Sequence, residues 1–236
     1  MMKPRTVLVT GGNRGIGRGI AEAFLRDGHR VAVISRNGNG PDGALAVRAD
    51  MAESGSIDQA FSVVEAQLGG VEVLVSNAGI TRDGPIAQMS DEDFADVINI
   101  NLNGSYRVVK RASRGMMRRR FGRIILISSI NALAGAAGQV NYASSKAGLV
   151  GLARSLTREL APRGITANVI SPTLIATDMT SSLSPATVDA YQRATPVGRL
   201  GTVDDVAGAA LWLASDSASF VTGAVIPVDG GAGMGH

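Results

Sequence analysis

Short apolar runs alternate with amphipathic stretches along this chain, and the alternation predicts seven strands joined mainly by helices. The apolar, β-branched runs predict strands at 6–9, 30–34, 46–49, 71–76, 123–130, 165–170 and 224–228. Apolar residues that recur every three or four positions predict helices at 16–26, 57–67, 91–118, 142–161 and 203–214. Because uninterrupted apolar strands are buried on both faces, we expect a parallel sheet with helices on both sides.

Right-handed crossovers between such strands give a doubly wound, Rossmann-like α/β fold. The stretch 36–43 contains three glycines and a proline, which oppose a helix, so a loop is predicted where this fold normally has its second helix. Ser90, followed by three acidic residues, predicts a helix that begins at 91. No linker, internal repeat or composition break divides the chain, so we expect one domain over 1–236.

Composition excludes several kinds of site. The chain has no cysteine, which excludes disulfides, thiolate metal sites and cysteine nucleophiles. His29 and His236 have no partner at metal-ligand spacing, so no metal site is expected. No stretch approaches 18 apolar residues and the first apolar run is too short for a signal peptide, so we expect no membrane span and a cytoplasmic location.

The net charge of +3 hides an uneven distribution. Between Asp96 and Glu159 the chain has eleven basic residues and no acidic one. Such a stretch fits a solvated helix face, a site for a polyanionic cofactor, an acidic protein partner or nucleic acid. Nucleic acid is not expected, because Tyr106 and Phe121 are the only aromatic residues nearby that could stack on bases.

A glycine-rich turn follows the first predicted strand and opens the first predicted helix. Glycines there let the backbone turn sharply and approach a pyrophosphate at the helix N-terminus. An acidic residue at the end of the second strand would favour NAD, whereas this chain has Arg36 there and Arg14 in the turn. Guanidinium groups suit a 2′-phosphate, so NADP(H) is preferred, although either arginine could be a solvated surface charge.

Tyr142 and Lys146 lie four residues apart near the start of a predicted helix, hence on one face. A neighbouring ammonium stabilises a phenolate and should lower the tyrosine pKa, which makes the phenol a better acid. Ser129 lies at the end of a predicted strand, where parallel sheets bind their ligands. Together with the glycine turn, these residues indicate a catalytic site.

These motifs resemble those of the short-chain dehydrogenase/reductase family over essentially the whole length. The matching residues are the turn Thr10–Gly17, Asn77-Ala78-Gly79, Asn101, Ser129, and Tyr142 with Lys146. Within the family the chain looks most like 3-oxoacyl-[acyl-carrier-protein] reductases, through stretches such as Asn141-Tyr-Ala-Ser-Ser-Lys-Ala-Gly. The absent second helix and the tail Gly233-Met-Gly-His236 resemble the actinobacterial type.

The resemblance implies a catalytic tetrad of Asn101, Ser129, Tyr142 and Lys146. NADPH would deliver hydride to the β-keto carbon, Tyr142 would protonate the alkoxide, Ser129 would bind the carbonyl oxygen, and Lys146 would hold the nicotinamide ribose. Asn101 would position a water of the proton relay. The residues implied to bind the cofactor are Gly11, Asn13, Arg14, Gly15, Ile16, Gly17, Arg36, Asp50 at the adenine, Asn77, Ala78, Gly79, Tyr142, Lys146, and Thr177 at the nicotinamide amide.

The resemblance further implies carrier-protein docking through Arg120 and Arg163, a homotetramer, and a substrate lid over 174–196. One departure is Thr173 after Pro172, where the family commonly has a glycine; threonine takes a positive φ only at a cost. Two other functions stay open. One is a reductase of free small ketones, polyketide ketones or alcohols, and the other is a non-catalytic NADP-binding regulator.

Overall fold

Seven parallel strands form one sheet at the centre of the computed structural model, which describes residues 3–177, 180 and 184–234. The strand order is β3-β2-β1-β4-β5-β6-β7. The strands are β1 (Thr6–Thr10), β2 (Arg30–Ser35), β3 (Leu45–Arg48), β4 (Val73–Ser76), β5 (Gly122–Ile127), β6 (Ile165–Pro172) and β7 (Val225–Val228). His236 and residues 181–183 of the predicted lid lie outside the described residues.

Helices cover both faces of the sheet, as the apolar strands predicted. Their bounds are α1 (Gly15–Arg26), α2 (Ser54–Leu68), α3 (Asp91–Val97), α4 (Gly104–Arg119), α5 (Asn131–Ala134), α6 (Val140–Leu160), α7 (Pro185–Ala194) and α8 (Val203–Ala214). The apolar residues of α1 and α8 pack with one face of the sheet, and those of α2, α4 and α6 pack with the other. The doubly wound Rossmann-like fold is therefore confirmed.

The sheet changes winding direction between β1 and β4, which are hydrogen-bonded neighbours. β2 and β3 lie on one side of β1, whereas the later strands lie on the other side of β4. The connection from β2 to β3 is a loop, as its glycines and proline predicted. Ligands of doubly wound sheets bind at the carboxyl ends of the strands where the winding reverses, and here that crevice lies between β1 and β4.

Several elements differ from their predicted bounds. The helix expected over 91–118 is interrupted by a π-helical segment, Ile98–Asn103, between α3 and α4. Strand β5 ends at Ile127, so Ser129 lies two residues beyond the strand instead of inside it. Helix α7, in the segment expected to form the lid, was not predicted; Ser184 caps it by accepting the N–H of Thr187.

The position of Thr173 does not demand a glycine. Among the described residues other than glycine, only Arg120 has a positive φ, of 53°. Thr173 donates its N–H to the carbonyl of Val228 at 3.3 Å, which ties the end of β6 to β7. The family's glycine is therefore replaced here without backbone strain. Within the described ranges, no helix is long and apolar enough to cross a bilayer.

Candidate active site

The turn after β1 needs its glycines. Gly11 and Gly15 have φ values of 65° and 53°, in the left-handed region that other residues avoid. A Cβ atom on Gly17 would lie 2.3 Å from the carbonyl oxygen of Gly11 and 2.4 Å from Nδ2 of Asn77. Only glycine fits at that close approach, so the turn has the compact shape that the sequence predicted.

Two polar side chains hold this turn against the chain that follows β4. The buried Thr10 accepts the N–H groups of Asn77 and Ala78 at its Oγ1, both at 3.0 Å. Asn77 donates its amide to the carbonyl oxygens of Thr10 at 3.1 Å and Gly11 at 3.3 Å. These bonds fix the geometry of the crevice between β1 and β4.

The N-terminus of α1 is suited to a pyrophosphate. Arg14 precedes the helix without capping it through its side chain, and the first turn has no acidic residue. Among the described residues, no side chain accepts the first N–H groups of α1, and the helix dipole favours an anion there. The residues present fit a dinucleotide: Gly11, Asn13 and Arg14 lie in the turn, and Gly15, Ile16 and Gly17 begin the helix.

The remaining residues expected at the cofactor lie along the same edge of the sheet. Thr177 follows β6 and lies beside the turn, because a Cβ on Gly15 would be 3.7 Å from its Cγ2. Asp50 is exposed after β3, and Arg36 is exposed after β2. Neither Arg14 nor Arg36 makes an ion pair or side-chain hydrogen bond with any part of the chain that the structure describes, so both guanidinium groups can meet a ligand.

Lys146 is buried beside Tyr142 on α6. Its Nζ donates to the carbonyl oxygen of Ile127 at 2.8 Å and lies 5.6 Å from the centre of the Tyr142 ring. Burial lowers the pKa of Lys146 to about 8, because the ammonium loses solvation. Ser128 donates its hydroxyl to the carbonyl of Lys146 at 2.9 Å, which holds the end of β5 against α6.

The pKa of Tyr142 is raised, whereas the sequence predicted that Lys146 would lower it. Burial of the phenol is the main cause, and the charge of Asp83 adds to it. A hydrogen bond from Ser129 acts in the other direction and lowers the pKa of Tyr142. Desolvation therefore outweighs the stabilisation of a phenolate, and Tyr142 is a protonated phenol near neutral pH.

Asn101 is fully buried in the π-helical segment Ile98–Asn103. Its amide makes two bonds with the backbone of Ile80: Oδ1 accepts the N–H at 2.8 Å and Nδ2 donates to the carbonyl at 3.0 Å. Nδ2 also donates to Oγ of Ser145 at 3.1 Å. The side chain thus ties the loop after β4 to α6, next to Gly79, whose added Cβ would lie 3.6 Å from Nζ of Lys146.

The expected carrier-docking residues lie at the other edge of the sheet. Arg120 precedes β5 and Arg163 precedes β6, whereas Ser129 follows β5. Nη2 of Arg120 donates to the carbonyl of Pro162 at 3.0 Å, so the two arginines are neighbours. Because β5 has six residues, this pair lies about 20 Å from the predicted catalytic residues of the same chain.

Some residues at the site had no assigned role in the sequence interpretation. Asn141 is fully buried; it accepts the N–H of Tyr142 at 2.7 Å and donates to the carbonyl of Arg82 at 2.8 Å. Ser145 donates to the carbonyl of Tyr142 at 2.7 Å. The sequence feature that could have pointed to these two residues is the group of polar residues on both sides of Tyr142, because the other buried positions of this helix are mostly apolar.

Comparison with known proteins agrees with this geometry. A family model described as enoyl-(acyl carrier protein) reductase matches residues 11–233. The 3-oxoacyl-[acyl-carrier-protein] reductase MabA of Mycobacterium avium is 50% identical over 232 residues, which cover 98% of this chain and 91% of that protein. MabA of Mycobacterium tuberculosis H37Rv is also 50% identical, over 98% of this chain and 94% of the relative.

A more distant relative matches over the same length. The 3-oxoacyl-[acyl-carrier-protein] reductase FabG of Escherichia coli K12 is 41% identical over 235 residues, which cover 96% of each chain. These matches agree with the family that the site motifs and the doubly wound sheet indicate. The chain therefore belongs to the short-chain dehydrogenase/reductase family.

Proposed function

We propose that this oxidoreductase uses NADPH to reduce a 3-oxoacyl group on an acyl carrier protein to the 3-hydroxyacyl group, in fatty-acid elongation. Membership of the family implies a nicotinamide cofactor. The observation that carries the proposal is the meeting of Ser129, Tyr142 and Lys146 at the carboxyl edge of the sheet, beside the glycine turn. The substrate class is supported by the relatives, which are 3-oxoacyl-[acyl-carrier-protein] reductases.

When bound, NADPH supplies the hydride that reduces the β-keto carbon. Tyr142 is the acid that donates its proton to the developing alkoxide, and its raised pKa keeps that proton available. Ser129 donates a hydrogen bond to the same oxygen and stabilises its charge. Lys146 holds a positive charge beside the Tyr142 ring. Asn101 fixes the loop after β4 through its bond with Ile80.

The function is tested by comparing two substrates and by comparing the variant Tyr142→Phe with the native protein. The substrates are acetoacetyl-carrier protein and acetoacetyl-CoA, which present the same ketone with and without the carrier. We expect Tyr142→Phe to lower NADPH oxidation with both at least about 1000-fold, since general acid catalysis contributes on that order. Binding of NADPH should be unchanged. Tyr106→Phe is the matched control, because Tyr106 is exposed on α4. Turnover by Tyr142→Phe at the native rate would refute its role.

A carrier-free substrate is the second candidate, and the position of Arg120 and Arg163 favours it. A carrier docked on these residues is at the opposite edge of the sheet from the site of the same chain. Docking there can serve catalysis if the chain is a homotetramer, where one subunit binds the carrier and another receives the acyl group. The homotetramer is therefore part of the leading proposal. A single-domain organisation over 1–236 is a separate part of it.

Charge substitutions separate the two candidates. Arg163→Glu reverses one docking charge, and Arg120→Gly removes the other while suiting the positive φ at that position. The carrier hypothesis requires a raised KM for acetoacetyl-carrier protein and an unchanged KM for acetoacetyl-CoA. Arg114→Glu, at an exposed position on α4, is the control. Equal kinetics with both thioesters in every variant would favour the carrier-free reductase.

A further inference from the structure

A chain of three hydrogen bonds, two between side chains and one from a backbone N–H, leads from an acidic residue outside the tetrad to Ser129. Asp83 accepts Nε2 of Gln139 at 2.8 Å. Gln139 accepts, at its Oε1, Nδ2 of Asn131 at 2.9 Å. Asn131 donates its backbone N–H to Oγ of Ser129 at 3.2 Å. The bonds connect the loop after β4 with the start and the end of the loop 131–139.

The carboxylate fixes the direction of the two side-chain bonds in this chain, whereas the third bond comes from a backbone N–H, which can only donate. An ionised carboxylate only accepts, so Gln139 must turn its NH₂ group toward Asp83 and its carbonyl toward Asn131. Asn131 must then donate from Nδ2. Oγ of Ser129 accepts from the backbone N–H of Asn131, and its single hydroxyl proton donates to Tyr142 or, when a substrate is bound, to the substrate oxygen.

Apart from the bond between Asn131 and Gln139, the loop 131–139, which includes the one-turn helix α5, is held internally by backbone hydrogen bonds such as that from the N–H of Gln139 to the carbonyl of Ala136 at 3.1 Å. Its seven residues between Asn131 and Gln139 are alanine, leucine and glycine, none with a side chain that can hydrogen-bond. Its end is held against the loop after β4 by the N–H of Gly84, which donates to the carbonyl of Gly138 at 2.8 Å. The side chains at its two ends therefore close the loop that separates Ser129 from Tyr142.

We propose that Asp83, Gln139 and Asn131 are positioning residues that close the loop 131–139 and orient the Ser129 hydroxyl toward Tyr142. This role rests on the proposed carbonyl reduction, in which Ser129 and Tyr142 share the substrate oxygen. None of the three needs to touch the substrate, since they act through the position of Ser129.

Asp83 also affects the charge balance at Tyr142. The charged groups that face the phenol are Asp83 from the loop after β4 and Lys146 from α6. Arg82 lies next to Asp83, and its Nε is 3.8 Å from Asp93 of α3, so these two largely neutralise each other. The charge of Asp83 raises the pKa of Tyr142 and therefore favours the protonated acid.

Reversal of the hydrogen-bond direction tests the proposal. Gln139→Glu places a second acceptor against Asp83 and breaks the chain, so we expect kcat to fall about tenfold, the loss that one hydrogen bond represents. When Asp83→Asn is added to Gln139→Glu, the new amide at position 83 donates to the new carboxylate at position 139. The bond is restored in the reverse direction, and kcat should return to within about threefold of the native value. NADPH affinity should be constant throughout. Glu92→Gln, which removes an exposed charge on α3, is the control.

Two further readouts separate orientation from general stability. Asp83→Asn should move the alkaline limb of the kcat/KM profile to lower pH, because the Tyr142–Lys146 pair loses a neighbouring anion. Gln139→Met should lower kcat and leave that limb in place. Amide hydrogen exchange over 132–138 should speed up in Gln139→Glu and slow again in the reversed pair.

The outcomes are distinguishable from those of the proposed function. Native kcat and native exchange in Gln139→Glu, or no recovery in the reversed pair, would overturn the positioning role. If the native protein reduced no ketone, the proposed function would fail, and the exchange data alone would decide whether the three residues close the loop.

Discussion

Burial shifts the pKa values of single residues at this site, and for Lys146 the shift lowers the stability of the fold. Its pKa of about 8 in the folded protein lies below the ordinary lysine value of 10.5. A base whose pKa is depressed on folding destabilises the fold below that pKa, and stability is regained as the pH rises from about 8 toward 10.5. At neutral pH the protein therefore keeps a buried ammonium for function at the expense of stability.

Substitution of Lys146 by methionine separates stability from activity. Lys146→Met removes the buried charge and keeps a side chain of similar length, so we expect about 1–3 kcal/mol more stability at pH 7. The gain should shrink between pH 8 and 10.5, the interval over which folding itself removes the proton. Reduction should be abolished. Urea denaturation at several pH values measures the first effect, and a variant less stable than the native protein at pH 7 would contradict it.

Arg36 carries the prediction for cofactor preference. It is exposed at the end of β2, with no ion pair among the described residues. Arg36→Gln should weaken NADPH binding about tenfold, the value of one charge-assisted hydrogen bond, and leave NADH binding unchanged. Fluorescence titration measures both affinities. Arg18→Gln, on the exposed side of α1, is the control. Equal losses for both cofactors would rule out a phosphate contact.

At the scale of elements, two helical glycines differ in whether the structure has room for a side chain. A Cβ added to Gly17 in α1 would clash with the carbonyl oxygen of Gly11, whereas one added to Gly208 in α8 would meet nothing within 4 Å. Gly17→Ala should displace the turn, lower stability by about 1–3 kcal/mol and weaken cofactor binding. Gly208→Ala should raise stability by about 0.5–1 kcal/mol and leave binding unchanged. Thermal denaturation with and without NADPH checks both, and equal shifts would contradict the packing argument.

The helices also show what sequence pattern can reveal. The bounds 203–214 predicted for α8 are those observed, because its apolar residues recur with helical spacing and Thr202 caps it. The π-helical segment that presents Asn101 could not be predicted, since residue preferences do not distinguish a π-helical turn from an α-helical one. The tetrad was predicted from motifs and the family resemblance, whereas the contacts of neighbouring side chains such as Asn141 and Gln139 join loops far apart in sequence, which no local pattern reveals.

At the scale of the whole molecule, distant segments converge at the amino edge of the sheet. Arg5, before β1, and Arg123, in β5, are buried and lie on the ring of Phe121 at 4.4 and 4.5 Å from its centre. Both pair with Asp216 after α8. One exposed carboxylate therefore neutralises two buried guanidinium groups, and the pairs link the start of β1, strand β5 and the segment after α8.

Asp216 should thus contribute more to stability than its exposure suggests. Asp216→Asn leaves two buried cations without a counter-charge, and we expect a loss of about 2 kcal/mol. Asp204→Asn is the matched control: Asp204 is 75% exposed, similar to Asp216 at 79%, but its partner Arg26 is also exposed. That pair should contribute less than about 0.5 kcal/mol. Urea midpoints compare the two variants directly, and equal losses would show that burial of the arginines does not raise the cost.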